Sequence, residues 1–139
     1  MITAARPRPV SGVSSLLLRA SPESVGRARS FIAAHSDTYD ADPDTCQAII
    51  SELATNAVVH GSNGGRCEAI IIRFYLSDQG PVIEVWDGSN AAPIAGRLES
   101  MHESGRGLAM VELMSRTLGY VPLVQGGKIV YAILEREQA

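Results

Sequence analysis

Apolar and polar positions alternate along this chain in two rhythms, and each rhythm predicts an element. Val13 to Arg19, Val-Ser-Ser-Leu-Leu-Leu-Arg, reads as a first strand, although its leucine run suits a helix as well. Ser21-Pro22-Glu23 predicts a helix start: a hydroxyl to cap, a proline in the first turn, and an acid facing the helix dipole. Val25, Ala28, Ile32 and His35 then share one face. Asp42-Pro43-Asp44 opens a second helix, in which Cys46, Ile49, Ile50, Leu53 and Ala57 recur at helical spacing up to His60, and Gly61 ends the run. The polar connection Asp37 to Asp42 is short, which favours an antiparallel helix pair.

Cys67 to Leu76 and Pro81 to Trp86 are rich in β-branched and aromatic residues, and Ser77-Asp78-Gln79-Gly80 joins them as a hairpin. Ala91 to Ser104 has no period and reads as a long loop. A third helix is predicted from the stripe Leu108, Val111, Met114 and Leu118, closed by Gly119. Tyr120 to Val124 and Ile129 to Leu134 flank Gln125-Gly126-Gly127-Lys128 as a last hairpin. Hairpin-paired strands interleaved with helices predict an α+β fold, with a mainly antiparallel sheet covered by helices on one face.

Composition narrows the class. The 139 residues suffice for one domain, and 45% apolar with 19% charged residues is a globular balance. A net charge of −3 disfavours non-specific binding to nucleic acid or anionic lipid. Two cysteines, Cys46 and Cys67, exclude a disulfide scaffold and suit a reduced, cytoplasmic setting as core thiols. No apolar run approaches the ~18 to 20 residues of a membrane helix, and no signal core follows the first charges. Residues 1–12, with Arg6-Pro7-Arg8-Pro9, are expected to form a flexible arm, and 13–135 the domain.

Three groups of residues suggest chemistry. Glu52, Asn56 and His60 follow at i, i+4 and i+8 on one helical stripe. An amide oxygen at Asn56 suits Mg²⁺ and a carboxylate at Glu52 suits a base, while the same spacing also describes an ordinary polar face. In Ile83-Glu84-Val85-Trp86-Asp87 the alternation sets Asp87 on the side of Ile83 and Val85, opposite Glu84 and Trp86. A carboxylate so placed needs a donor, such as the amino group of adenine approached past Gly88, unless it caps the turn Asp-Gly-Ser-Asn. Ser104-Gly105-Arg106-Gly107 precedes the third helix, where backbone N–H groups and the dipole would face an anion, or where glycine serves flexibility alone.

In this order and spacing the three segments resemble the ATP-binding boxes of the GHKL superfamily (gyrase, histidine kinase and MutL relatives), and most of all the short bacterial anti-sigma-factor serine kinases. Ser51-Glu52-Leu53-Ala54-Thr55-Asn56-Ala57-Val58-Val59-His60 resembles the N box, Val85-Trp86-Asp87-Gly88-Ser89 the first glycine box, and Glu103-Ser104-Gly105-Arg106-Gly107-Leu108 the second. The resemblance implies a two-layer α/β sandwich of the Bergerat type holding Mg-ATP. It implies Asn56 as the Mg²⁺ ligand, Glu52 as the base and Asp87 with Gly88 at adenine. Gly105, Arg106, Gly107 and Leu108 would lie at the phosphates. It further implies a homodimer that phosphorylates a serine of an anti-anti-sigma (STAS-type) protein and sequesters a sigma factor. One departure stands out: Asp87-Gly88-Ser89-Asn90-Ala91 lacks the superfamily's glycines two and four residues after the acid. That motivates a second reading, a nucleotide-gated interaction module without phosphotransfer.

The remaining distinctive side chains read as structural. Met110 and Met114 are expected to pack the third helix, and His35 and His102 to be solvated. Trp86 is expected to be covered by the protein's own elements or to edge a partner surface.

Overall fold

A computed structural model of the chain describes residues 2–3, 6–60, 69–91, 93 and 107–138. In chain order it contains β1 (Ile2–Thr3), β2 (Ser14–Arg19), α1 (Glu23–His35), α2 (Pro43–Val59), β3 (Ala69–Ser77), β4 (Gly80–Asp87), α3 (Gly107–Met114), β5 (Thr117–Pro122) and β6 (Lys128–Ile133). One six-stranded sheet runs in the order β1-β5-β6-β4-β3-β2. Its pairs are antiparallel except β1 with β5, which is parallel. The expected α+β architecture is what the chain adopts.

Strand alternation assigns the two faces. Ile70, Ile72, Phe74, Ile83, Val85, Val130 and Ala132 meet Ile32 of α1, Ile49, Ile50 and Leu53 of α2, and Leu108 and Val111 of α3 in one core. Burial of each large aliphatic side chain there contributes about 1.5–3 kcal/mol. Tyr75, Val82, Ile129, Tyr131 and Ile133 form a second cluster on the outer face.

The second helix forms as its sequence predicts: the Asp42 carboxylate accepts from the Thr45 N–H at 2.9 Å, and Pro43 opens the first turn. The first helix differs at its start. Pro22 occupies the cap position without a side-chain cap, and the Ser21 hydroxyl instead meets that of Ser24 at 3.4 Å. The connection between these helices is less polar in role than in composition. Tyr39 and Ala41 are buried, and the Tyr39 ring lies 4.8 Å from that of Phe74.

The third helix ends at Met114, four residues before the end its apolar stripe predicts. Leu118 reaches the core from β5 instead, and Gly119 lies opposite Tyr131 in the sheet. The Ser115 hydroxyl donates to the Val111 carbonyl and the Arg116 N–H to that of Ile133, both at 2.7 Å, which turns the chain from helix to strand. Met110 is exposed rather than packed, whereas Met114 lies against the core.

The largest departure concerns residues 1–12, expected to stand outside the domain. At one edge β1 pairs with β5, and towards the other edge the Val10 N–H donates to the Leu76 carbonyl of β3 at 2.9 Å. Between these points Arg6 meets the Glu84 carboxylate at 3.0 Å, and the Tyr75 hydroxyl shares its one proton between Glu84 and the Pro7 carbonyl, the latter at 2.9 Å. Residues 6–10 are thus a strap across the outer sheet face. Glu84 is only 1% exposed, so it requires charged or donor partners, and the strap supplies one. Burial and the neighbouring Glu84 carboxylate push the Tyr75 phenol well up, which keeps it a donor. Arg6→Ala is expected to cost about 1–2 kcal/mol in urea unfolding, less than a fully buried pair because Arg73 also approaches Glu84, at 3.8 Å. An unchanged midpoint would show that the strap is not held there.

Candidate functional site

Three elements contribute. α2 packs on both α3 and β4, and β4 ends at Asp87 beside Lys128, the first residue of β6. Because Val85 and Val130 point into the helix-covered core, Asp87 and Lys128, two residues away on each strand, point the same way.

Asp87 is 1% exposed and Lys128 2%. The Lys128 ammonium donates to Oδ1 of Asp87 at 2.9 Å, and the Ser89 N–H donates to the same oxygen at 2.9 Å. Among the described residues, Oδ2 is buried with no hydrogen-bond partner. Burial pushes the Asp87 carboxyl above the usual range, against the downward pull of these two bonds. An unpartnered buried acceptor is costly, and a donor supplied from outside the chain would relieve that cost. The inward placement expected of Asp87 is observed, with a donor found in Lys128 for one of its two oxygens.

Sequence reasoning missed Lys128 as this partner. The signal was present: Lys128 heads the series Lys128, Val130, Ala132, so a cation shares the parity of two core residues.

The loop after Asp87 is built without the two absent glycines. The Ala91 N–H donates to the Ser89 hydroxyl at 3.1 Å, joining the two substituted positions, and Oδ1 of Asn90 accepts from the Gly127 N–H at 2.9 Å. Gly88 is half-buried. Gly127 has φ +79°, and a Cβ there would collide with the Asp87 carbonyl and lie 2.7 Å from the Trp86 indole nitrogen. Gly127→Ala is therefore expected to destabilise by roughly 2–3 kcal/mol, combining left-handed strain with collision. Gly126 also has a positive φ, +117°, but a Cβ there meets open space, so Gly126→Ala carries backbone strain without the collision and should cost less. Equal midpoints for the two variants in denaturant would remove the collision argument.

On α2 the predicted stripe divides. Asn56 is 6% exposed, Glu52 is half-buried, and His60 is exposed as the residue ending the helix. Burial pushes the Glu52 carboxyl above its ordinary value. Its carboxylate lies so close to Gly107, the first residue of α3, that a Cβ there would overlap it. The structure thus brings Glu52 to the helix start that the sequence assigns to an anion. Leu108 is 2% exposed, its side chain within the core. Gly105 and Arg106 lie outside the described residues, as do Cys67 and His102.

Other side chains take structural places. Cys46 is buried, its thiol pushed up to about 12 by burial. His35 is half-buried rather than solvated, with Nδ1 2.8 Å from the Phe31 carbonyl. The Trp86 indole N–H donates to the Gly126 carbonyl at 3.4 Å. Among the described residues, no helix is long and apolar enough to cross a membrane.

No curated protein matches the chain. A family model described as the histidine kinase-like ATPase domain matches residues 18–134, and membership of such a family implies ATP binding. That span runs from the buried Leu18 to Leu134 and takes in α2, Asp87, Gly107 and Lys128, so this protein belongs to the histidine kinase-like ATPase domain family.

Proposed function

We propose that the chain is an Mg-ATP-dependent protein serine kinase of the anti-sigma-factor type. The observation that carries this reading is the Glu52 carboxylate set against Gly107, at the start of α3. A helix N-terminus offers N–H groups and positive potential to phosphate, so a base beside it stands where an incoming hydroxyl would lose its proton. Burial makes the Glu52 carboxylate a stronger base than one in water.

The other roles follow from chemistry and position. Oδ2 of Asp87 accepts from the adenine amino group, with Gly88 beside it, and Asn56, one helical turn from Glu52, offers Mg²⁺ an amide oxygen. Gly105, Arg106, Gly107 and the Leu108 N–H hold the phosphates. The bound nucleotide supplies the phosphoryl group, and Mg²⁺ supplies charge neutralisation. What the chain supplies is positioning and a proton acceptor, which is most of what phosphoryl transfer asks of a protein. The acceptor is a serine on an anti-anti-sigma protein of the STAS type, and the unmodified complex is with a sigma factor held by a homodimer in the cytoplasm.

Mixing the purified protein with a co-encoded STAS protein, Mg²⁺ and ATP, followed by mass spectrometry, tests the reading. One phosphoserine on the STAS protein is expected. Saturable ATP binding with an unmodified STAS protein would overturn the kinase and leave the nucleotide-gated module.

A further inference from the structure

The nucleotide reading leaves Lys128 unexplained. A lysine 2% exposed is unusual in a core, and its ammonium carries three N–H groups. Among the described residues its hydrogen bond is to Oδ1 of Asp87, at 2.9 Å. Oδ1 also takes the Ser89 N–H, whereas Oδ2 takes nothing. The carboxylate is therefore held by one oxygen and presents the other, with a cation next to it. An open acceptor beside a donor with N–H groups to spare is a two-point reader for a ligand edge bearing the complementary pair.

We propose that Lys128 is a specificity-determining residue of this site, donating to the ring nitrogen N1 of adenine while Oδ2 of Asp87 accepts from the adjacent amino group. The proposal rests on the nucleotide reading above and deepens it. Adenine carries an amino donor and a ring acceptor side by side. Hypoxanthine and guanine carry a carbonyl acceptor and a ring N–H there, so both contacts reverse: oxygen faces Oδ2, and N–H faces the ammonium. Sites built from buried hydrogen-bonding groups reject such analogues strongly, because those groups are left unpaired. Lys128 thereby does more than neutralise Asp87. It turns a single acceptor, which any amino group could satisfy, into a pattern.

Ligand atoms can be changed one at a time while the protein stays wild type, so folding does not enter. Calorimetric affinities would be measured for ADP, for 1-deazaadenosine diphosphate, which has C–H in place of N1, and for inosine diphosphate. Loss of a hydrogen bond to a charged donor predicts 1-deazaadenosine diphosphate about tenfold weaker than ADP or worse. Inosine diphosphate, with both contacts reversed, is expected on the order of 100-fold weaker. In Lys128→Met the difference between ADP and the deaza analogue should fall to about twofold or less, a change that lost packing alone would not produce. Equal wild-type affinities for ADP and 1-deazaadenosine diphosphate would overturn the role of Lys128 and leave the nucleotide reading standing. Absence of any ADP binding would overturn the nucleotide reading itself, and the role of Lys128 with it.

Discussion

Glu52→Gln is expected to lower phosphoserine formation by about 10²–10⁴-fold, the usual worth of a positioned general base, while leaving ATP affinity within a few fold. Glutamine keeps the shape beside Gly107 and loses the proton acceptor. The same change should make the protein more stable, and the sign follows from proton linkage. Burial raises the folded-state pKa of Glu52 above its ordinary 4.5, so between those two values the folded state binds more protons than the unfolded one. Stability contributed at this position therefore falls as pH rises through that window and stays low above it. Replacing the carboxyl removes that loss: Glu52→Gln should melt higher than wild type near pH 7.5, and the advantage should vanish by about pH 3, where the wild-type carboxyl is protonated in both states. Transfer rates by mass spectrometry and melting curves at both pH values check the two halves. A variant that transfers phosphate normally would remove Glu52 from the base position.

Asp87→Ala is expected to cost about 3–5 kcal/mol of stability, because it leaves the Lys128 charge buried without its partner. For a domain of this size that is a large part of the whole. The consequence is practical: loss of ATP binding in this variant mixes a lost contact with a weakened fold. Combining it with Lys128→Met should return most of the stability, since an apolar pair in place of a buried ion pair is often neutral. ATP binding should not return, because the acceptor for the amino group is gone. Urea unfolding of wild type, both single variants and the double variant gives the coupling directly. Additive effects would mean that the 2.9 Å contact carries no energy.

Where structure followed local rules, the sequence was legible. Asp42 and Pro43 set the start of α2, and the two-residue alternation in β4 turned Asp87 inward. The general α+β arrangement followed from the hairpins. What escaped lies in pairings distant along the chain. Arg6 and Glu84 are 78 residues apart, and Lys128 and Asp87 are 41 apart, so neither contact exists until the sheet fixes its register. Leu118 misled for a different reason. Its spacing from Met114 fits a helix, but a leucine that reaches the core from a strand has the same apolar signature, and only pairing of Arg116 with Ile133 decides between them.

Sheet order also governs how this domain comes off the ribosome. β6 lies between β4 and β5, yet Lys128 is made 41 residues after Asp87. At about 5–20 residues per second, β4 waits roughly 2–8 s with one edge unpaired. β1 waits as well, since among the described residues its partners are Gly119 and Tyr120, although Arg6 and Val10 can already reach Glu84 and Leu76. Until residue 133 has emerged the nascent chain holds β2, β3 and β4 paired, with the helices over an unfinished sheet. The sheet is therefore completed late, and the growing chain presents β4, an apolar strand with one edge unpaired, of the kind that chaperones cover.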